Sequence, residues 1–129
     1  MPNHVFPSLR YRDAEAAADW LEEAFGLELV ASHENEDGSI GHVEMRWGDS
    51  TIMFGEENER AIERFGEHAG QAWLYVSVED PDEHYARATA AGAEIVMELT
   101  DLDYGSRDYS ARDPEGNLWS FGTYDPISG

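Results

Sequence analysis

A chain of 129 residues and 14.5 kDa fits one domain better than two. Hydrophobic residues make up 41% of it, and twelve Gly, four Trp, six Tyr and five Phe are spread along its length, which is enough to bury a core and excludes a disordered chain. Twenty-eight acidic residues oppose eight cationic ones, all Arg, and the formal net charge of −20 argues against nucleic-acid and anionic-membrane partners, while the absence of Cys excludes disulfides, thiolate metal sites and Cys nucleophiles.

The first strand is predicted from Val5 to Arg12. Asp13 then stands where a helix N-cap belongs. An Ala-rich stretch follows, with Ala17, Trp20 or Leu21, and Ala24 or Phe25 on one face, and Gly26 as the stop. Three strand-like runs come next, Glu28 to Glu34, Ile40 to Trp47 and Thr51 to Gly55, with turns at Asp37-Gly38 and Gly48-Asp49. The first module therefore spans about 4–56. Residues 57–70, rich in Glu, read as a linker containing a short surface helix, its acids a solvated face.

The second module, about 71–124, repeats the layout. Its first strand is Trp73 to Val78. Asp80 is placed to cap, Pro81 suits the first helical position and Glu83 completes a capping box. Tyr85, Ala88 and Ala91 or Gly92 form the apolar face of this helix. The runs Glu94 to Leu99, Asp108 to Arg112 and Leu118 to Tyr124 follow, with Asp113-Pro114-Glu115-Gly116-Asn117 as a strong turn before the last. The fold class is thus α+β: two βαβββ modules, expected to form one curved eight-stranded mixed sheet with helices on the convex side and a cavity on the concave side.

The repeated βαβββ layout resembles the vicinal oxygen chelate superfamily of glyoxalases, extradiol dioxygenases and bleomycin-resistance proteins. So does the run Tyr104-Gly105 followed by Arg112-Asp113-Pro114-Glu115-Gly116-Asn117-Leu118-Trp119-Ser120-Phe121-Gly122. The resemblance covers nearly the whole chain and looks nearest to the metal-free bleomycin-resistance branch. It implies a divalent metal held by His, Gln or Glu in the family's enzymes. Carried onto this chain, those ligand positions fall on Phe6, Met53, Ser120 and Gln71 or Ala72. None is a carboxylate or imidazole, and only Gln71 offers a neutral oxygen, so neither a metal nor another cofactor is expected. His4 lies two residues from the first of these positions; His33, His42, His68 and His84 read as ordinary surface or hydrogen-bonded side chains.

Strand alternation assigns a face to each side chain. Leu74, Val76 and Val78 suit packing under a helix, as do Val5, Pro7, Leu9, Tyr11, Val43, Met45 and Trp47. The opposite face then carries Phe6, Arg10, His42, Glu44, Arg46, Met53, Trp73, Tyr75 and Ser120, with Ser8, Arg12, Thr51, Ser77, Ser110, Arg112 and Leu118 beside them. Apolar walls with sparse polar groups describe a small-molecule site. Arg10 and Glu44 are candidates to pair with each other or with Arg46. Tyr104-Gly105 lies in a loop able to close over a ligand, or is a turn needing Gly only for its backbone angle. No phosphate loop, nucleophile elbow or HExxH occurs.

The expected function is binding of a small aromatic or cationic molecule in the concave cavity without metal, by sequestration. The alternatives are a metal-dependent lyase, isomerase or dioxygenase drawing on His4, His42, Glu44 or Gln71, and a structural or regulatory homodimer. A homodimer is expected in each case. A cytoplasmic location is expected too, since no run approaches the ~20 apolar residues of a spanning helix and the first residues do not read as a signal peptide.

Overall fold

The strands and helices follow from capping and alternation that the sequence displays openly. A computed structural model describes residues 3–127. The chain divides into two compact units, the first ending at Gly70 and the second starting at Gln71.

The first unit contains β1 (Ser8–Tyr11), α1 (Ala14–Trp20), β2 (Glu28–Glu34), β3 (Ile40–Trp47), β4 (Ser50–Glu56) and α2 (Glu59–Phe65). Asp13 caps α1, its carboxylate accepting from the Ala16 amide at 3.0 Å. The helix continues as a wider turn over Leu21–Phe25 and stops at Gly26, where φ is 80°. Glu56 ties three elements together from the end of β4. Its carboxylate accepts from the Ala14 amide at the head of α1 and from the Ile40 amide at the start of β3, at 3.2 and 2.9 Å. A negative group at a helix N-terminus also meets the favourable end of the helix dipole. The sheet order is β1-β4-β3-β2, with β1 parallel to β4 and the other pairs antiparallel. Helix α1 packs on one face, where Leu9, Tyr11, Val43, Met45 and Phe54 are buried with Leu21 and Phe25.

The second unit contains β5 (Trp73–Ser77), α3 (Pro81–Ala90), β6 (Glu94–Asp101), β7 (Arg107–Arg112) and β8 (Leu118–Gly122). Asp80 caps α3 by accepting from the Glu83 amide at 3.1 Å, with Pro81 in the first turn. The order β5-β8-β7-β6 repeats that of the first unit. Helix α3 packs on β6 and β7. Beneath it Tyr109, Ala111, Trp119 and Phe121 are buried, with Tyr109 and Phe121 stacked at 5.0 Å between ring centroids. The helix's buried stripe is Pro81, His84 and Ala88, and the half-buried Tyr85 meets Tyr109 edge-on. His84 thus occupies an apolar position. It is tolerated because its Nδ1 lies 2.5 Å from the Tyr109 hydroxyl.

The turn Asp113–Asn117 is held from within. Asp113 Oδ1 accepts from the Glu115 and Asn117 amides at 3.0 and 3.1 Å, and Oδ2 from Asn117 Nδ2 and Trp119 Nε1 at 3.0 and 3.1 Å. Asn117 Oδ1 in turn accepts from the Ala72 amide, fixing the start of β5.

The α+β class and the paired βαβββ modules agree with the sequence. The strands pair as two four-stranded sheets, and no hydrogen-bonded ladder among the described residues runs through all eight. The predicted short helix after β4 is α2, capped by Asn58. The first strand is shorter than its apolar run: Val5, Phe6 and Pro7 precede β1 and are exposed, so Val5 and Pro7 do not take the helix-packed face expected of them, and Trp47, at the end of β3, is only half-buried. No described helix is long and apolar enough to cross a membrane.

Candidate functional site

In each unit the sheet face opposite the helix carries polar side chains, and in the second unit it also carries exposed aromatic rings. In the first unit, register sets Ser8, Met53, Glu44 and Ala31 in one row across four strands. Arg10 stands beside Gly55, Arg46 beside Thr51, and His33 beside His42. Of the side chains predicted to share this face, Arg10, His42, Glu44, Arg46 and Met53 do so by register. Phe6 lies outside the sheet, its exposed ring 5.7 Å from that of His4.

The expected pairing of Glu44 with Arg10 or Arg46 is not formed. Arg10 Nε bonds Glu67 at 2.8 Å, and its Nη1 donates to the Glu56 carbonyl at 3.3 Å. Gly55 makes this possible, because a Cβ there would lie 3.1 Å from Arg10 Nη1 and run into the Gly41 carbonyl. Glu44 pairs instead with its strand neighbour, His42 Nε2 to Glu44 Oε2 at 2.8 Å. Both are half-buried, so this pair is a weak contributor to stability.

In the second unit the rows are Trp73, Leu118 and Arg112, then Tyr75, Ser120 and Ser110, then Ser77, Gly122 and Asp108. Trp73 is 73% exposed. Its Nε1 donates to Ser120 Oγ at 3.2 Å, and Ser120 lies 2.8 Å from Ser110 Oγ. The hydroxyl pair therefore fixes the orientation of an otherwise free indole plane. Tyr75 donates to the Tyr124 carbonyl at 2.7 Å. Tyr104, on the β6–β7 turn, meets the Tyr124 ring edge-on at 5.9 Å, and Tyr75 lies 6.5 Å from the same ring. The turn closes through Leu102 N to Ser106 O at 2.8 Å and Gly105 N to Leu102 O at 3.0 Å. Gly105 adopts φ 89° there, so its conformational role is real.

Two residues of this cluster escape sequence reasoning. Tyr124 falls in a predicted strand, yet β8 ends at Gly122 and the chain bends to bring its ring between Tyr75 and Tyr104. Asp108 is one acid among 28, but it is only 6% exposed. Its carboxylate occupies the space a Gly122 side chain would fill and accepts from Ser106 Oγ. Burial, and next the negative charge of Asp108, hold the Tyr75 hydroxyl above the ordinary tyrosine range.

The donor set does not suit a divalent ion. Phe6 and Met53 offer no hard oxygen or imidazole, and the Ser120 hydroxyl is engaged with Ser110 and Trp73. Among the described residues no three His, Asp or Glu side chains stand close enough to share a metal.

Comparison with known proteins agrees with this architecture. TioX from Micromonospora sp. ML1 is similar over 94% of this chain and 98% of its own, at 36% identity and TM-score 0.80. TnmS3, an antibiotic binding protein from Streptomyces sp. CB03234, shares the fold at 20% identity and TM-score 0.74, over 93% of this chain and 94% of its own. Lactoylglutathione lyase from Agrobacterium tumefaciens shares it at 23% identity and TM-score 0.70, over 95% and 94%. A binding protein and an enzyme thus sit on one scaffold, so fold alone does not decide function. The family model of the Glyoxalase/Bleomycin resistance protein/Dioxygenase superfamily matches residues 2–121, and the chain belongs to that superfamily.

Proposed function

We propose that this protein binds a small aromatic or cationic molecule without metal and holds it unchanged. The observation that carries the reading is Trp73. A large indole standing 73% exposed, yet tied in orientation by Ser120, is a prepared stacking surface on the face opposite α3. Tyr75, with Tyr104 and Tyr124 around it, extends the aromatic surface, and Ser110 and Ser120 supply sparse polar groups. The donor set, poor in metal ligands, supports a binding role over metal-dependent lyase, isomerase or dioxygenase chemistry. The antibiotic binding of TnmS3 illustrates that the scaffold suits such a role. The net charge of −20 favours cationic guests by long-range attraction that salt weakens. The exposed Val5, Phe6, Leu29 and Val30 support pairing into a homodimer, checked by sedimentation.

Calorimetric titration with proflavine (planar, cationic) and 2-naphthol (planar, neutral), in the presence of chelator, tests this. Saturable binding of at least one probe is expected, weakened about tenfold or more by Trp73→Ala. Affinity unmoved by that substitution, or binding that appears only with added divalent ion, would contradict the proposal.

A further inference from the structure

A buried carboxylate almost always has a cationic partner or several hydrogen-bond donors. Asp108 has neither among the described residues. It is 6% exposed and accepts one hydrogen bond, from Ser106 Oγ. The adjacent cation, Arg107, belongs to other acids, with Nε 2.7 Å from Asp82 and Nη1 3.1 Å from Asp101. Ser106 is itself locked as the donor to Asp108, because its oxygen accepts from the Tyr124 amide at 3.1 Å and from Thr123 Oγ1 at 3.4 Å. The carboxylate is therefore held in place on the face opposite α3 with no cation among the described residues paired to it.

Three aromatic rings lie on the same part of this face: the Tyr75 row adjoins that of Asp108, and the Tyr124 amide bonds the same Ser106 hydroxyl. Tyr104 and Tyr124 meet edge-on, and Tyr75 lies against the other side of Tyr124. All three are exposed, Tyr104 most of all at 66%. The faces of such rings carry negative quadrupole charge and attract cations. Burial and the Asp108 charge act together on the Tyr75 hydroxyl, so the carboxylate's field reaches the surface where a guest would sit.

We propose that Tyr75, Tyr104 and Tyr124, above the buried carboxylate of Asp108, form a receptor for the ammonium group of an organic cation. The inference rests on the binding role proposed above and narrows its ligand class. The rings supply the contact surface and exclude water from the headgroup. Asp108 supplies the charge, which is worth more under the rings than it would be in bulk water. The tightly closed turn from Leu102 to Ser106 holds Tyr104 in position before any guest arrives.

The test is an aromatic-resonance NMR titration of the intact chain with choline and with its uncharged isostere 3,3-dimethyl-1-butanol. Choline should move the Tyr75, Tyr104 and Tyr124 ring signals saturably, and the isostere should bind at least about tenfold more weakly. Tyr104→Ala, at an exposed turn position that does not threaten folding, should weaken choline by about 2- to 30-fold. Asp108→Asn should narrow the ratio of choline to isostere. Equal binding of choline and isostere, unmoved tyrosine signals, or an unchanged ratio in Asp108→Asn would overturn the inference. A parallel titration with 2-naphthol and proflavine separates the two levels. If a planar probe binds at Trp73 while choline behaves like its isostere, the cation receptor fails and the wider binding role stands. If none of these molecules binds, both fail.

Discussion

Replacing Asp113 by Ala removes the acceptor on which the turn before β8 is built. The carboxylate is 4% exposed and receives four donors at 3.0 to 3.1 Å: two amides, the Asn117 side chain and the Trp119 indole. Asn117 and Trp119 are both buried, so three of these donors would lose a partner in a place water reaches poorly. At about 1 kcal/mol or more for each stranded donor, the loss is about 3 kcal/mol, with a ceiling near 5 because the turn can relax. With an unfolding entropy of about 2.1 cal/mol/K per residue, 3 kcal/mol lowers the Tm of a 129-residue chain by about 11 °C. Asp113→Asn keeps an acceptor for the amides but turns an NH2 toward two donors, so its cost should be intermediate, about 1–3 kcal/mol. Urea unfolding followed by far-UV circular dichroism measures both. A loss below about 1 kcal/mol for Asp113→Ala, with an unchanged denaturant slope, would mean that the turn does not depend on this acceptor.

Three further outcomes follow from the same contacts. Burial holds the Tyr109 phenol well above the ordinary tyrosine range. The unfolded chain loses this proton near pH 10 while the folded one keeps it. Stability conferred below that pH is therefore lost as pH rises above about 10, by at most about 1.4 kcal/mol per pH unit for this group. Urea midpoints at pH 9 and pH 11 should separate, and Tyr109→Phe should flatten the difference; equal slopes in both proteins would contradict it. Gly122→Ala should cost about 1–3 kcal/mol by forcing its methyl into the Asp108 carboxylate, and a Tm equal to that of the parent would count against the placement of Asp108. Trp73→Ala, at an exposed site, should alter stability by no more than about 0.5 kcal/mol, so that any loss of binding in that variant reports the site and not unfolding.

Much of the scaffold was legible because it is written in local signals. Asp13 and Asp80 cap where they stand, Gly26 takes the left-handed angle that stops a helix, and alternation along Trp73–Ser77 separates its exposed rings from its inward aliphatics. What escaped depends on pairs of residues distant in sequence. Asp108 is buried because Gly122 on the neighbouring strand leaves room for it, and neither residue alone announces that. Arg10 turned to Glu67 because Gly55 offers no side chain in its path. Tyr124 joined the aromatic cluster because β8 ends two residues earlier than its run of apolar residues implies. His84 entered a core stripe on the strength of one hydroxyl 25 positions away.

The site residues follow the same division. The face assigned to Trp73, Tyr75 and Ser120 came from period-two alternation, and the register sets Tyr75 directly beside Ser120. The residues that give this face its charge and its third ring, Asp108 and Tyr124, came from tertiary geometry alone. The narrower ligand class proposed above, an organic cation, was therefore beyond the sequence, since that proposal depends on a buried carboxylate with one donor.

The proposed function places a small molecule, bound without metal, on the face bearing Trp73. The indole Nε1–H resonances of the four tryptophans report on this directly in one titration of the chelator-treated protein with proflavine. A saturable shift of the Trp73 signal is expected, with the signal of Trp119, buried under α3, left in place. A Trp73 resonance that does not move, or moves only once a divalent ion is added, would contradict it.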